Sequence, residues 1–121
     1  MEIQNAIIAF GALSQETRLK AFRLLMEFGL DGAPAGVLSD RLDVPHNTLS
    51  FHLSHMSRSG LIVARREGRS IIYTVNFEAF KDLLRFMIED CCSEEVASIR
   101  DSKSRNCTLI ELANLPECCE K

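Results

Sequence analysis

The chain has 121 residues, 46% of them hydrophobic, which is enough for one compact domain with its own core. No apolar run approaches the ~20 residues of a membrane span, and the N-terminal residues lack the basic start and long apolar core of a signal peptide, so we expect a cytoplasmic protein. The formal net charge of −3 argues against a nucleic-acid-binding protein, because such domains are usually basic.

The first quarter of the chain predicts two amphipathic helices. Residues 2–13 carry apolar side chains at helical spacing, which are Ile3, Ala6, Ile7, Phe10 and Leu13. Ser14 can cap a second helix, and Glu16 then lies in its first turn, where a negative charge is favourable. We expect this helix to end at Gly29 and to bury Leu19, Phe22, Leu25, Met26 and Phe28.

The next segment predicts a helix-turn-helix arrangement. Gly32 and Pro34 indicate a turn over residues 30–34. A short helix then runs from Ala35 or Gly36 to Leu42 and buries Val37, Leu38 and Leu42. Residues 43–46 form a tight connection to a helix over residues 47–59, which Gly60 ends as a C-terminal cap. Two helices joined in this way are typical of DNA-binding proteins.

The helix over residues 47–59 has two distinct faces. Leu49, Leu53 and Met56 recur at i, i+4 and i+7, so they form a core face. A rotation of 100° per residue places the polar-rich set on the opposite side: Asn47, Thr48, Phe51, Ser54, His55 and Arg58. We predict that these residues, with Ser50 at the flank of the helix start, contact bases in the major groove.

A hairpin is predicted directly after this helix. Residues 61–66 and 70–76 are β-prone runs, and Arg65, Arg66 and Arg69 surround a turn at Gly68. Arginines at a hairpin tip suit phosphate contact beside a helix in the major groove. Charge is distributed accordingly, since residues 41–75 hold five arginines against two acids, whereas residues 89–121 hold eight acids against four bases. The predicted fold is a winged helix-turn-helix, mainly α with a two-stranded β-wing.

A long helix is predicted after the hairpin, with a wide apolar stripe made of Phe77, Phe80, Leu83, Leu84, Met87 and Ile88. A domain this small cannot easily bury both this stripe and that of the first helix. We therefore expect a homodimer through the first and last helices; a monomer that closes over its own stripe is the alternative. Residues 1–92 would be the DNA-binding and dimerisation domain, and residues 93–121 an acidic, cysteine-containing tail with one or two helical turns over residues 109–115.

Three stretches resemble the ArsR-type (ArsR/SmtB) bacterial repressors. They are ALSQETRLKAFRLL from Ala12, NTLSFHLSHMSRSGLI from Asn47 and REGRSIIYTV from Arg66. With their connections they cover roughly residues 10–76. The resemblance implies a small winged-helix dimer that binds operator DNA and leaves it when a metal or metalloid binds.

The chain departs from that family at two known types of metal site. Many arsenic and cadmium sensors of the family carry a Cys-x-Cys pair where this chain has Pro34 and Gly36. Zinc-sensing members use histidines and carboxylates along the last helix, whereas the three histidines here are His46, His52 and His55. His52 matches a position that the family commonly fills with histidine, and we interpret it as a residue of helix packing or phosphate contact.

All five cysteines follow the DNA-binding half of the chain: Cys91, Cys92, Cys107, Cys118 and Cys119. Without an export signal we expect reduced thiols. A lone thiol is usually an inert small apolar group, but adjacent pairs in an acidic tail suit a soft ion, and three thiolates suit trivalent arsenic or antimony. By the family resemblance, Cys91, Cys92 and Cys107 bind the inducer, with Cys118 or Cys119, from either chain, as the alternative third ligand.

The predicted function is therefore a homodimeric repressor of an arsenical-resistance operon, released from double-stranded operator DNA by As(III) or Sb(III). One alternative is a repressor that binds zinc through the four thiols of the two adjacent pairs, and another is a redox-sensing repressor that forms disulfides from the same cysteines. A thiol oxidoreductase using Cys91 or Cys92 is the alternative of a different class. It needs a Cys-x-x-Cys motif or a nucleophile with a base, and the sequence shows neither, so we predict no enzymatic activity and no organic cofactor.

Overall fold

The computed structural model describes residues 1–89. Its elements in chain order are α1 (Ile3–Leu13), α2 (Glu16–Phe28), a 3-10 turn (Gly29–Asp31), β1 (Ala33–Pro34), α3 (Ala35–Leu42), α4 (His46–Ser59), β2 (Ile62–Glu67), β3 (Ser70–Val75) and α5 (Phe77–Glu89). Elements α1 to β3 belong to one unit, Glu2–Asn76, and α5 belongs to a second. The predicted tail over residues 93–121, its helical turns and the domain boundary at residue 92 lie outside the described residues.

Helix α4 is the centre of the first unit and packs against α1, α2, α3 and β2. Its core face is as predicted, because Leu49, Leu53 and Met56 are all fully buried. The helix begins one residue earlier than expected. Gly60 ends it in the left-handed conformation, at φ +87°, and donates its backbone N–H to the Ser57 carbonyl at 3.1 Å. This cap directs the chain out of the helix and into the hairpin.

Helix α1 packs on α2 and α4 through small side chains. Ala6, Ala9 and Ala12 are buried, and their size allows the helices to approach closely. The larger apolar residues of α1 are exposed: Ile3, Ile7, Ile8 and Phe10. The predicted apolar stripe of the first helix therefore stays largely uncovered in the single chain.

Helix α2 begins differently from the prediction, which placed Ser14 at its N-cap. The Ser14 hydroxyl donates instead to the Gly11 carbonyl at 2.9 Å, which satisfies the end of α1. The N-cap is Gln15, whose side-chain oxygen accepts the backbone N–H of Arg18 at 2.9 Å. Ser14 serves the preceding helix because it is the C-cap of α1, so the N-cap role passes to its neighbour.

Two residues predicted as core, Leu19 and Val37, are exposed by 44% and 39%. The buried face of α2 is formed by Ala21, Phe22, Leu24 and Leu25. At 100° per residue, Leu19 lies roughly 160° around the helix from Ala21, which turns it towards solvent. Helix α3 is short and buries Leu38 alone among its residues, while Leu42, like Met26 and Phe28 of α2, is half-buried.

The sheet contains a strand that the sequence did not predict. Strands β2 and β3 form the expected antiparallel hairpin, in register from Ile62 opposite Val75 to Glu67 opposite Ser70. Strand β1 pairs antiparallel with the other edge of β3, so the order is β1-β3-β2. Pro34 lies on this edge strand, where a missing N–H is tolerated. The wing is therefore joined directly to the residue before α3.

Gly32 lies against the backbone and side chains of β3. Its backbone has φ +69° and ψ −166°, a combination that is essentially restricted to glycine. A Cβ atom at this position would overlap the Tyr73 carbonyl oxygen and the Thr74 side chain. The pairing of β1 with β3 therefore depends on glycine at residue 32.

Helix α5 forms as predicted and extends to Glu89. Within it, Leu83 is buried and Met87 is exposed. Lys81 pairs with Glu78 at 2.9 Å and Arg85 with Asp82 at 3.7 Å, both at i,i+3 spacing along the helix. Together, the helices α3 and α4 and the antiparallel hairpin that follows them form a winged helix-turn-helix.

Candidate nucleic-acid interface

The outward face of α4 carries most of the predicted base-contacting residues. Five of them are exposed, and two are half-buried at the flank; the exposed ones are Asn47, Thr48, Phe51, Ser54 and Arg58, and the others Ser50 and His55. In residues 1–89, the side chains of the four polar exposed members have no hydrogen-bond partner. The first turn of α4 holds no acidic residue, and Arg58 lies in its last turn. The face therefore offers polar groups free to bond to another molecule.

His55 is only partly available to such a molecule. Its Nδ1 atom and the hydroxyl of Ser57 are buried and lack a hydrogen-bond partner in the described structure. Ser54 and His55 are adjacent in α4, and both are predicted to contact bases. Of the two, Ser54 is therefore the better placed to do so.

His52 takes part in a contact that joins α4 to the start of α2. The Arg18 guanidinium donates through Nε to the Ala12 carbonyl at 2.6 Å and lies 3.1 Å from His52 Nδ1 through Nη1. Arginine has no acceptor, so Nδ1 must accept this bond and the imidazole must be neutral. Burial lowers the pKa of His52 below its ordinary value of 6.5, and Arg18 and His55 lower it further by repulsion. This geometry supports the helix-packing interpretation of His52.

This contact predicts a specific pH dependence of stability. Because the pKa of His52 is lowered in the folded state, the unfolded chain takes up the proton first as the pH falls. The free energy of unfolding should therefore fall as the pH drops below about 6.5 and level off below the folded pKa. His52→Asn, which offers Arg18 an amide oxygen as acceptor in place of Nδ1 and does not titrate, should lose less stability over that range in urea unfolding. Equal losses in both proteins would contradict this role of His52.

The three wing arginines differ in their surroundings. Arg65 donates to the Glu67 carboxylate at 2.8 Å and to the Asp31 carbonyl at 3.0 Å, with the Leu30 carbonyl at 3.5 Å. Its guanidinium therefore holds β2 to the 3-10 turn. Arg66 and Arg69 are exposed, and neither forms an ion pair or hydrogen bond within residues 1–89. Of the three, Arg66 and Arg69 are the ones free to contact phosphate.

A cleft of about 330 Å³ separates the start of α4 from the wing. His46 and Ser50 line it from α4, and Arg69 and Tyr73 line it from the hairpin, with Pro34 and neighbouring residues at its base. The start of α4 and the wing thus border one concave surface that carries hydrogen-bonding groups and the positive charge of Arg69. Such a surface suits a phosphate-bearing strand beside a groove.

The predicted inducer ligands lie outside the described residues: Cys91, Cys92, Cys107, Cys118 and Cys119. Over residues 1–89, no group of three or more His, Cys, Asp or Glu side chains is placed to hold a metal ion. Pro34 and Gly36, at the positions of the family's Cys-x-Cys pair, lie at the start of α3. None of the helices in this part of the chain is long and apolar enough to cross a membrane.

Known proteins of similar sequence are transcriptional regulators. A helix-turn-helix domain model matches residues 13–65. The chain is 29% identical over 83 residues to the transcriptional activator HlyU of Vibrio cholerae, covering 69% of this chain and 74% of HlyU. It is 28% identical over 98 residues to an HTH-type transcriptional regulator of Mycobacterium tuberculosis, covering 78% and 84%.

Solved structures show the same likeness. An ArsR-like transcriptional regulator from Rhodococcus superposes with a TM-score of 0.62 at 28% identity, covering 70% of this chain and 77% of that one. The structure of HlyU superposes with a TM-score of 0.57, covering 77% of this chain and 100% of HlyU. These comparisons confirm the winged helix-turn-helix fold and the prediction that the chain is not an enzyme, and they support DNA-binding regulation as its activity.

Proposed function

We propose that this chain is a homodimeric repressor of the ArsR type, which binds operator DNA when free and leaves it when trivalent arsenic or antimony binds. The observation that carries the DNA-binding part is the concave surface between α4 and the wing. There, His46 and Ser50 at the start of α4 border the same cleft as Arg69 of the wing. Asn47 and Thr48, whose polar side chains have no partner within residues 1–89, lie in the same turn of α4. Likeness to transcriptional regulators over most of the chain supports the same activity.

In this proposal, α4 is the recognition helix and the wing supplies phosphate contacts. Asn47, Thr48 and Ser54 carry hydrogen-bonding groups of the kind that select bases in the major groove. Arg66 and Arg69 bind phosphate, which supplies affinity for any sequence. Arg65 acts through the wing, because its guanidinium is engaged with Glu67 and the 3-10 turn.

DNA binding is tested by separating affinity from sequence preference. Arg69→Ala should weaken binding to all duplexes and reduce the salt slope by about 1, the change expected when one phosphate is no longer neutralised. Asn47→Ala should change the preference among duplexes by about 1–3 kcal/mol. Fluorescence anisotropy over a salt series measures both.

Lys20→Ala is the matched control for charge, because Lys20 is exposed on α2 and pairs with Glu16 at 2.7 Å. It should leave the salt slope nearly unchanged. If Arg69→Ala behaves like Lys20→Ala, and Asn47→Ala keeps the parent preference, the proposed interface is wrong.

The dimer is proposed from the uncovered apolar residues of α1. Ile3, Ile7 and Phe10 follow i, i+4 and i+7 spacing and are all exposed in the single chain. A second copy related by two-fold symmetry would cover them and provide two recognition helices for two half-sites. The sequence also predicted that α5 pairs with α5 of the second copy, and this pairing belongs to the same proposal.

The inducer is proposed from the chemistry of the thiols. Cys91 and Cys92 follow α5 within three residues of its end, so ligation there acts next to the proposed dimer helix. Three thiolates match the preference of trivalent arsenic and antimony, and Cys107 is proposed as the third ligand. One relative is named an activator; repression is proposed here because release by a ligand implies a free form that holds the operator.

Inducer binding is tested by variants that should keep DNA binding and abolish release. Cys91→Ser, Cys92→Ser and Cys107→Ser should each bind the operator like the parent protein. Arsenite should weaken parent binding by about 5–150-fold, the usual range of allosteric coupling, and should have no effect on the three variants.

Truncation after Leu115 is the matched control. Of the five cysteines it removes Cys118 and Cys119 and keeps the other three. It should remain responsive to arsenite. If the truncated chain fails to respond while Cys107→Ser responds normally, the third ligand comes from the terminal pair. If zinc releases the DNA, zinc replaces arsenic as the proposed inducer. If release is accompanied by disulfide formation in a thiol titration, oxidation of the thiols replaces it.

A further inference from the structure

Phe51 is the one large apolar residue on the outward face of α4. Its side chain is 62% exposed, and Asn47, Thr48, Ser54 and His55, the residues one helical turn away on either side, are all polar. Single exposed apolar residues are common and need no explanation alone. This one lies in the second turn of the proposed recognition helix, among the groups proposed to select bases.

The ring of Phe51 is held by a chain of contacts. It meets the His52 ring edge-on, with centroids 5.6 Å apart and planes at 67°. His52 is in turn 3.1 Å from the Arg18 guanidinium, which is anchored on the Ala12 carbonyl at 2.6 Å. A side chain that is already oriented loses less conformational entropy when it binds.

The chemistry of the ring limits what it can contact on DNA. A phenyl ring has no hydrogen-bonding group, so it gains nothing from a phosphate or from a donor or acceptor on a base edge. The apolar group that a base pair exposes in the major groove is the C5-methyl of thymine. We propose that Phe51 selects thymine by packing its ring against this methyl group, an inference that rests on the proposed binding of operator DNA.

Replacing thymine by uracil removes this methyl and nothing else from the groove. Duplexes that bind the full-length chain are first enriched from a random library, and each thymine is then exchanged singly for deoxyuridine. We expect one sensitive thymine in each half-site. Exchanging either of them alone should weaken binding about fourfold, the value of one buried methyl or methylene group, and exchanging both should weaken it roughly fifteenfold. The other exchanges should have little effect.

Variants then assign the effect to the ring. Phe51→Ala should bind the thymine and uracil duplexes equally at the sensitive position, while Phe51→Leu should keep part of the discrimination. Leu19→Ala, at an exposed large apolar residue of α2 outside the proposed interface, is the matched control and should keep the full thymine-to-uracil ratio. Thermal unfolding of all three should match the parent protein, because both residues are exposed.

The outcomes separate this inference from the proposed function. If the chain enriches duplexes but no uracil exchange weakens binding, or if Phe51→Ala keeps the sensitivity, thymine selection by Phe51 is wrong and DNA binding stands. If the chain enriches no duplex, the proposed function fails and the inference fails with it.

Discussion

Replacing Gly32 by alanine is expected to lower the free energy of unfolding by about 2–6 kcal/mol. Two independent effects add. Residue 32 has φ +69° and ψ −166°, and a non-glycine residue in that region costs of order 1–3 kcal/mol. The new Cβ would also overlap the Tyr73 carbonyl and the Thr74 methyl, and forced overpacking costs typically ~1–3 kcal/mol. A change of this size is a large share of the ~5–15 kcal/mol that stabilises a typical domain.

Urea unfolding followed by circular dichroism measures the change, and Gly36→Ala is its matched control. Gly36 lies in α3, and a Cβ there meets nothing within 4 Å. The same substitution should therefore leave stability unchanged or raise it by up to about 1 kcal/mol. If the two variants unfold at the same urea concentration, the close approach of residue 32 to β3 is not a feature of the folded protein.

If α1 forms the proposed dimer interface, replacing Ile7 by aspartate is expected to convert the dimer to monomers and to abolish tight operator binding. Ile7 is 55% exposed in the single chain, so a monomer should tolerate the change within about 0.5 kcal/mol. In a two-fold dimer two isoleucines are removed from the interface, which costs about 4 kcal/mol or more and roughly a 10³-fold rise in the dimer dissociation constant. Burying the carboxylates adds to this.

Sedimentation velocity and operator titration test the two consequences together. A monomer binds one half-site and forgoes the gain from linking two, which is about 10²–10⁴-fold. Leu30→Asp is the control. Leu30 is a large apolar residue that is 79% exposed, and it lies on the 3-10 turn, outside α1. It should remain dimeric. A parent protein that is monomeric at micromolar concentration, or an Ile7→Asp variant that stays dimeric, excludes α1 as the interface.

Helix α4 is predictable from sequence because its pattern is local. Leu49, Leu53 and Met56 form a complete apolar stripe that ends at a glycine, and all three are fully buried. The hairpin is predictable for the same reason, since two β-prone runs flank a short turn at Gly68. In both cases the determining residues lie within a few positions of each other.

The features that the sequence did not reveal depend on residues far apart in the chain. Strand β1 has only two residues and exists because it pairs with β3, about 40 positions later. The contact of Arg18 with His52 and that of Arg65 with Asp31 each span 34 positions. No periodicity within either segment indicates such a partner. The three arginines of the wing therefore look equivalent in sequence although one of them is engaged in the fold.

The burial of individual apolar residues was the other source of error. Ile7 and Leu19 have the spacing of core residues, yet both are exposed in the single chain. Periodicity identifies an apolar face but does not say what covers it. On α1 the tight packing is made by alanines, whose small size makes them weak predictors of burial. The larger neighbours of those alanines are what the proposed dimer would cover.

The separation of the two faces of α4 bears on how such a protein can evolve. The residues that hold the helix in the core are distinct from those that face outward, and substitutions at exposed positions without partners usually change stability by less than about 0.5 kcal/mol. Asn47, Thr48 and Ser54 are such positions. Under the proposed function, mutations there would change the operator sequence that is bound while the fold is retained, so a duplicated copy of the gene could acquire a different set of target promoters through a few changes on one surface.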